Sequence, residues 1–144
     1  MINIKVISDT ICPWCYIGKK ELDNAISLLS EINFSITYKP FQLDPTMPPQ
    51  GVNRKKYIER KFGEDTAKEV GLKIAEAGSK VGINFNYEKI EITPNTLDSH
   101  RLIRWAEREN KQTEALDLLF YSYFTEGLNI GDKNILVNLA EKLK

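Results

Sequence analysis

The sequence predicts a mixed α/β fold, with a β-α-β unit at the start and a mostly helical block after it. Residues 2–8 alternate in polarity and are rich in β-branched side chains, which indicates a mostly buried strand. Residues 13–30 carry apolar side chains at three- and four-residue spacing, which indicates an amphipathic helix. Residues 34–41 have the composition of a second strand, so a right-handed crossover should place the two strands side by side and parallel.

A proline-rich connection at 43–51 is the best candidate for an internal boundary. We therefore expect residues 1–50 to form the first part of an α/β domain and residues 51–144 to form a helical insertion domain. Helices are predicted at 54–62, at 65–81, from Asn95 or Thr96 to about 109, at 113–126 and from 133 to about 143, with an irregular connection at 83–92.

Composition excludes several classes of function. The 144 residues carry 20 basic and 20 acidic side chains, and this balance gives no reason to expect a nucleic-acid partner. No apolar run approaches the roughly 20 residues that a membrane-spanning helix needs. Met1 leads directly into the first strand without a separate signal segment, so the sequence predicts a cytoplasmic location.

Two cysteines, the only ones in the chain, lie where the first strand meets the first helix, in the run Cys12-Pro13-Trp14-Cys15. Pro13 suits the first helical position, which places Cys12 at the N-cap. The Cys12 sulfur then faces unpaired N–H groups and the positive end of the helix dipole, so its pKa should fall to about 3.5–7.5. Cys15 heads the apolar stripe and should be less exposed. Cys12 is therefore the predicted nucleophile and Cys15 the predicted resolving thiol.

Other uses of the cysteine pair fit less well. A structural zinc site needs four ligands, and the chain adds only one histidine, His100, to the two thiols. A static disulfide across so short a loop would contribute little chain-entropy stabilisation. Two inert core cysteines would have no need of an N-cap position. Redox exchange without a metal is the favoured interpretation, and it suits a pair in a reducing compartment.

Four runs occur in an order that resembles the FrnE-like branch of the DsbA-like thioredoxin superfamily. They are 8–15 with Gly18, 40–45, 95–102 and 123–127. The resemblance implies a thioredoxin-like fold and thiol–disulfide oxidoreductase or isomerase activity on protein thiols, protein disulfides or small thiols. It also implies that Cys12 attacks, that Cys15 resolves, and that no metal or organic cofactor takes part.

Further candidate site residues surround the dithiol. Pro13 and Trp14 lie between the cysteines and should line the substrate-facing surface. Because Trp14 adds no positive charge there, we expect a milder oxidant than the secreted relatives. Asp9 lies three residues before Cys12, and it is a candidate either for proton relay from Cys15 or for capping the turn.

The helical block contributes two more candidates for substrate binding. The resemblance places His100 and Arg101 where this block borders the active-site cleft, although His100 also suits a capping or interface role. The aromatic run at 120–124 is interpreted as core and groove wall rather than as a cofactor site. The basic run at 54–56 is interpreted as solvated helix charge.

One departure from the resembled family concerns the end of the fold. Members carry a proline-initiated strand after the helical block, whereas the last of the six prolines here is Pro94. We therefore expect the last strands of the fold to be absent from this chain, which would make it a truncated product, a fragment, or a half completed by another chain. A homodimer stays open. Two other functions also stay open, namely a glutathione-dependent isomerase or transferase and a non-catalytic redox-sensing or binding module.

Overall fold

The computed structural model describes residues 1–144, and its main elements follow the predicted order. The strands are β1 (Ile2–Ser8), β2 (Phe34–Pro40), β3 (Val52–Asn53) and β4 (Ile92–Thr93). The helices are α1 (Pro13–Ser27), α2 (Arg54–Phe62), α3 (Glu64–Ser79), α4 (Leu97–Arg108), α5 (Gln112–Phe124) and α6 (Lys133–Lys142), with a 3-10 turn at Tyr87–Lys89.

The predicted β-α-β unit is present at the start of the chain. Strands β1 and β2 are parallel, in a register that runs from the pair Ile2–Phe34 to the pair Ser8–Pro40. Helix α1 begins at Pro13 as predicted and ends at Ser27, a little earlier than expected. The carboxyl ends of both strands therefore meet beside the first turn of α1, where the two cysteines lie.

A second, very small sheet was not predicted. Strand β3 pairs antiparallel with β4, and this pairing ties the end of the proline-rich connection to the segment before α4. Gly51 precedes β3 with a φ of +74°, and a Cβ at that position would lie 2.6 Å from the carbonyl oxygen of Thr93. A glycine is required there because of both the left-handed backbone and the close approach.

The core combines aliphatic and aromatic side chains and is shared by both halves of the chain. Phe120, Tyr123 and Phe124 of α5 are almost completely buried, which confirms their predicted core role, whereas Tyr121 is 47 % exposed. The same hydrophobic cluster includes Tyr16 of α1 and Tyr38 of β2. One core therefore contains residues from both sides of residue 50. The predicted division into two domains at that residue stays a prediction.

None of the six helices has both the length and the apolar character that crossing a bilayer requires.

Candidate active site

Cys12 is the N-cap residue of α1, as predicted. Its backbone is extended, with φ −90° and ψ 110°, and Pro13 follows at the start of the helix. The Cys12 sulfur accepts a hydrogen bond from the backbone N–H of Cys15 at 3.3 Å. The same N–H also donates to the carbonyl oxygen of Cys12 at 3.1 Å, so the sulfur shares this donor with the backbone. A donor from the first turn of α1 that points at the sulfur favours the thiolate over the thiol.

Hydrogen bonding lowers the pKa of Cys12 to about 7. The largest cause is donation by the Cys15 thiol, and the backbone N–H groups of Cys15 and Trp14 lower the pKa further. Burial and the negative charge of Asp9 oppose this shift. A substantial fraction of Cys12 is therefore ionised at neutral pH, which is the condition for nucleophilic attack on a disulfide.

The pKa of Cys15 is raised well above its ordinary value. The same thiol–thiolate hydrogen bond is the main cause, followed by burial, and the charge of Asp9 contributes to the increase. Both cysteines are free and partly exposed, so the predicted difference in burial between them is not observed. Their pKa values differ instead because of hydrogen bonding, in which Cys12 is the acceptor and Cys15 the donor.

Asp9 is a buried junction between three segments, with only 1 % of the residue exposed. Its Oδ1 accepts the N–H of Thr10 at 2.8 Å and lies 3.0 Å from Nε2 of His100. Its Oδ2 accepts the N–H of Leu43 at 2.8 Å. This carboxylate therefore holds the turn before Cys12, the segment after β2 and helix α4 together. The geometry fits the capping role, and the proton relay stays a prediction.

His100 lies close to Asp9, whereas Arg101 does not. The His100 ring is buried, and its Nε2 is 3.0 Å from both Asp9 Oδ1 and the carbonyl oxygen of Phe41. Since both neighbours are acceptors, Nε2 carries the hydrogen. Arg101 is exposed and pairs with Asp98 at 2.7 Å. A substrate-binding role for His100 and Arg101 stays a prediction.

Trp14 is placed at the surface beside the nucleophile. It is 54 % exposed although it is one of the largest apolar side chains in the chain. Pro13 is partly buried next to it. Both residues lie next to Cys12 in the chain, and their role in substrate binding stays a prediction.

The chain offers no evident set of ligands for a metal ion. No group of three or more histidine, cysteine or acidic side chains is close enough together to hold one. Near the dithiol, Nε2 of His100 and both carboxylate oxygens of Asp9 already have hydrogen-bonding neighbours within the chain.

The sequence interpretation missed Arg54. The prediction of a solvated charge is wrong for this residue, although Lys55 and Lys56 are exposed. Arg54 is partly buried, with its guanidinium carbon 4.8 Å from the ring centre of Tyr87 and its Nη1 3.5 Å from the Tyr123 hydroxyl. No signal in the sequence singles out Arg54, because its neighbours come from segments more than 30 positions away.

The buried cation Lys19 was missed as well. Its side chain is 1 % exposed, and its Nζ lies 2.7 Å from Asp23 and 2.8 Å from Asp117 of α5. A signal was available here, because Lys19 follows Cys15 by four positions and therefore lies on the same face of α1.

Comparison with known proteins agrees with this fold. The family model described as a DSBA-like thioredoxin domain matches residues 3–144. The protein YwbO of Bacillus subtilis (strain 168) is 30 % identical over 146 aligned positions, which cover 99 % of this chain and 66 % of that protein.

Two solved structures share the fold. The probable DsbA oxidoreductase SCO1869 from Streptomyces coelicolor has a TM-score of 0.90 at 22 % identity, over 99 % of this chain and 63 % of that one. The cytosolic disulfide reductase DsbM from Pseudomonas aeruginosa, solved with GSH, has a TM-score of 0.70 at 17 % identity, over 99 % and 65 %.

This chain therefore spans about two thirds of the length of each of these relatives. The predicted α/β fold class is confirmed, including its thioredoxin-like, DsbA-like character. With the family model matched over nearly all of its length, the chain belongs to the DSBA-like thioredoxin domain family.

Proposed function

We propose that this chain is a thiol–disulfide oxidoreductase that acts through the Cys12–Cys15 dithiol. The observation that carries the proposal is the hydrogen bonding of Cys12, whose sulfur accepts the Cys15 N–H and whose pKa is lowered to about 7. Family membership and the fold shared with disulfide oxidoreductases and a disulfide reductase support the same activity.

The two thiols suit the two steps of disulfide exchange. The Cys12 thiolate attacks one sulfur of a substrate disulfide, which forms a mixed disulfide and releases the other substrate sulfur as a thiolate. Cys15 then loses its proton and attacks the Cys12 sulfur, which forms the Cys12–Cys15 disulfide and releases the second substrate thiolate. The substrate gains two electrons, and the protein is oxidised by the same number. The reverse sequence oxidises a substrate dithiol.

Finer assignments belong to the same proposal. We place the chain in the FrnE-like subfamily and in the cytoplasm, with protein or small-molecule thiols and disulfides as partners. Pro13 and Trp14 would face the substrate, and Asp9 would accept the proton that Cys15 loses. A homodimer is part of the same proposal. The DsbM structure supports a small-thiol partner, since it was solved with GSH.

A Cys15→Ser variant tests the proposed mechanism. An exchanger that lacks its resolving thiol should accumulate a mixed disulfide at Cys12, which intact-mass spectrometry detects after incubation with a disulfide. A glutathione-dependent transferase or isomerase would turn over without accumulating the adduct, and a binding module would show neither behaviour. The exchange proposal fails if the reduced wild-type protein leaves every disulfide substrate unchanged while Cys12 remains free to react with iodoacetamide.

A further inference from the structure

Arg54 differs from every other partly or fully buried cation of this chain. Lys19, Lys20 and Lys39 each have a carboxylate within 4 Å, and Lys111 donates to backbone carbonyl oxygens at the end of the chain. Arg54 has no acidic partner, and the other four arginines are exposed. A partly buried guanidinium that has no carboxylate partner within the chain is available to bind an anion.

The position of Arg54 is well determined by its surroundings. Its backbone N–H donates to the carbonyl oxygen of Glu91 at 2.9 Å, which extends the small β3–β4 sheet. The guanidinium packs on the ring of Tyr87 and reaches the hydroxyl of Tyr123. The Tyr87 hydroxyl is buried and has no hydrogen-bond partner in the chain. Several donors are thus grouped with no acceptor of matching charge.

A row of aromatic rings connects this group to the dithiol. Tyr16, which directly follows Cys15, has its ring centre 6.0 Å from that of Phe85. Phe85 stacks on Tyr87 at 5.5 Å, and Tyr87 contacts Arg54. Burial raises the pKa of Tyr87, the charge of Arg54 lowers it, and the charge of Cys12 raises it slightly. The charges of Arg54 and Cys12 therefore both affect the pKa of Tyr87.

We propose that Arg54 binds a carboxylate of the disulfide substrate, and that the preferred substrates are small peptide disulfides with free carboxylates. This inference rests on the proposed exchange activity at Cys12. A guanidinium binds a carboxylate through two parallel hydrogen bonds, which suits recognition of a terminal carboxylate. We expect a short, flexible molecule to span from Cys12 to the partly buried Arg54 more readily than a folded protein, whose carboxylates and disulfides are held in fixed positions.

Arg54 takes no part in the electron balance of the reaction. The Cys12 thiolate forms a bond to one substrate sulfur while the substrate S–S bond breaks, and Cys15 then displaces the bound half to close the Cys12–Cys15 disulfide. One peptide disulfide gives two peptide thiols, and both electrons come from the protein dithiol. Arg54 would raise the rate by holding the substrate near Cys12 before attack.

The test compares disulfides that differ in charge. Rate constants for oxidation of the reduced protein are measured by stopped-flow with glutathione disulfide, which is anionic, with hydroxyethyl disulfide, which is neutral, and with cystamine, which is cationic. For Arg54→Gln we expect the ratio of the glutathione disulfide to the hydroxyethyl disulfide rate constant to fall about tenfold. Arg54→Lys should lower this ratio less than Arg54→Gln does, because lysine keeps the positive charge but cannot form two parallel hydrogen bonds to a carboxylate.

Arg60→Gln is the matched control, since Arg60 lies on the same helix and is exposed. It should leave the ratio unchanged. A measurement on the wild-type protein needs no variant, because added salt should slow the reaction with glutathione disulfide more than the reaction with hydroxyethyl disulfide.

Two results would overturn the assignment, and they differ from each other. In the first, all three disulfides oxidise the wild-type protein, but neither Arg54→Gln nor added salt changes the ratio of rate constants. Arg54 is then not a carboxylate site, and the exchange activity stands. If no disulfide oxidises the wild-type protein, the proposed function itself fails.

Discussion

Two buried ionic sites hold helix α1 in place, one before the dithiol and one after it. Before it, Asp9 receives hydrogen bonds from two backbone N–H groups and lies against His100. After it, Lys19 lies between Asp23 and Asp117. Asp9 raises the pKa of both cysteines, and it is the only charged side chain outside the pair that is among the causes of those shifts.

The difference shows that proximity along the chain does not decide which charge affects the thiols. Lys19 is four positions from Cys15 and Asp9 is six, yet only Asp9 contributes. The positive charge of Lys19 is offset by two carboxylates, whereas Asp9 is surrounded mainly by neutral donors. We therefore assign Lys19 a role in stability and Asp9 a role in both stability and reactivity. Two predictions test this division, and a third tests the hydrogen bond between the thiols.

The largest expected effect on stability comes from Lys19→Met. Removing the cation leaves Asp23 without an ion-pair partner and Asp117 with only Lys20 at 3.5 Å, and breaking a buried pair costs about 3–5 kcal/mol. Because both carboxylates are about a third exposed, we expect a loss nearer about 2 kcal/mol in the free energy of unfolding by urea. The pKa of Cys12, measured from thiolate absorbance, should not change.

The control for Lys19→Met is Lys73→Met. Lys73 pairs with Glu69 at the same distance of 2.7 Å and the same i,i+4 spacing, but both side chains are exposed. Its removal should leave the free energy of unfolding unchanged within error. If the Lys19→Met protein also shifted the pKa of Cys12, the two sites would not be separable as described.

Asp9→Asn should change both properties. The amide cannot accept hydrogen bonds on both sides, so the N–H of Leu43 or of Thr10 loses its acceptor, and we expect a loss of about 1–2 kcal/mol in the free energy of unfolding. Removal of the negative charge should lower the pKa of both cysteines, since Asp9 raises them in the wild type. The pH profile of iodoacetamide alkylation should therefore move to lower pH.

Asp65→Asn serves as the control for this prediction, because Asp65 is exposed in the first turn of α3. It should leave the alkylation profile where it is. An Asp9→Asn profile that stays in place or moves to higher pH would contradict the assignment of Asp9 as the charge that acts on the dithiol.

The smallest expected effect comes from removing the hydrogen bond between the two thiols. In wild-type protein the alkylation rate of Cys12 should rise about tenfold per pH unit below about 7 and level off above it, because the thiolate is the reacting form. Cys15→Ala removes the donor and should raise the pKa of Cys12 toward the value of about 8.5 for a free thiol. Cys15→Ser keeps a hydroxyl donor and should give an intermediate pKa. Profiles of both variants that equal the wild-type profile would show that the thiol donor does not contribute and that the backbone N–H groups lower the pKa.

The local features of the fold were predictable from neighbouring residues. The strand–turn–helix order around Cys12, the N-cap position and the end of α2 at Gly63 each depend on a few consecutive side chains and their backbone preferences. The pairing of β3 with β4 was not predictable, because each strand has only two residues and the partners lie about forty positions apart.

The candidate site was likewise predictable only where it depends on neighbouring residues. Cys12 and Cys15 were identified from spacing and position alone, since the chain contains no other cysteine. Asp9 was a candidate, but its bonds to His100 and Leu43 depend on three separate segments that meet at the carboxyl ends of β1 and β2. The neighbours of Arg54 in the chain indicate a solvated charge, whereas its contacts with Tyr87 and Tyr123 come from distant segments.

The sequence by itself placed the cysteine pair at a helix N-terminus, because that position follows from local backbone preferences. The order of its motifs resembles the DsbA-like superfamily, which the family model over residues 3–144 confirms. Only the tertiary structure decided which charges act on that pair. The effect of a charge depends on burial and on partners from distant segments, so Asp9 reaches the thiols, Lys19 is neutralised by its neighbours, and Arg54 is left without an anion beside Tyr87.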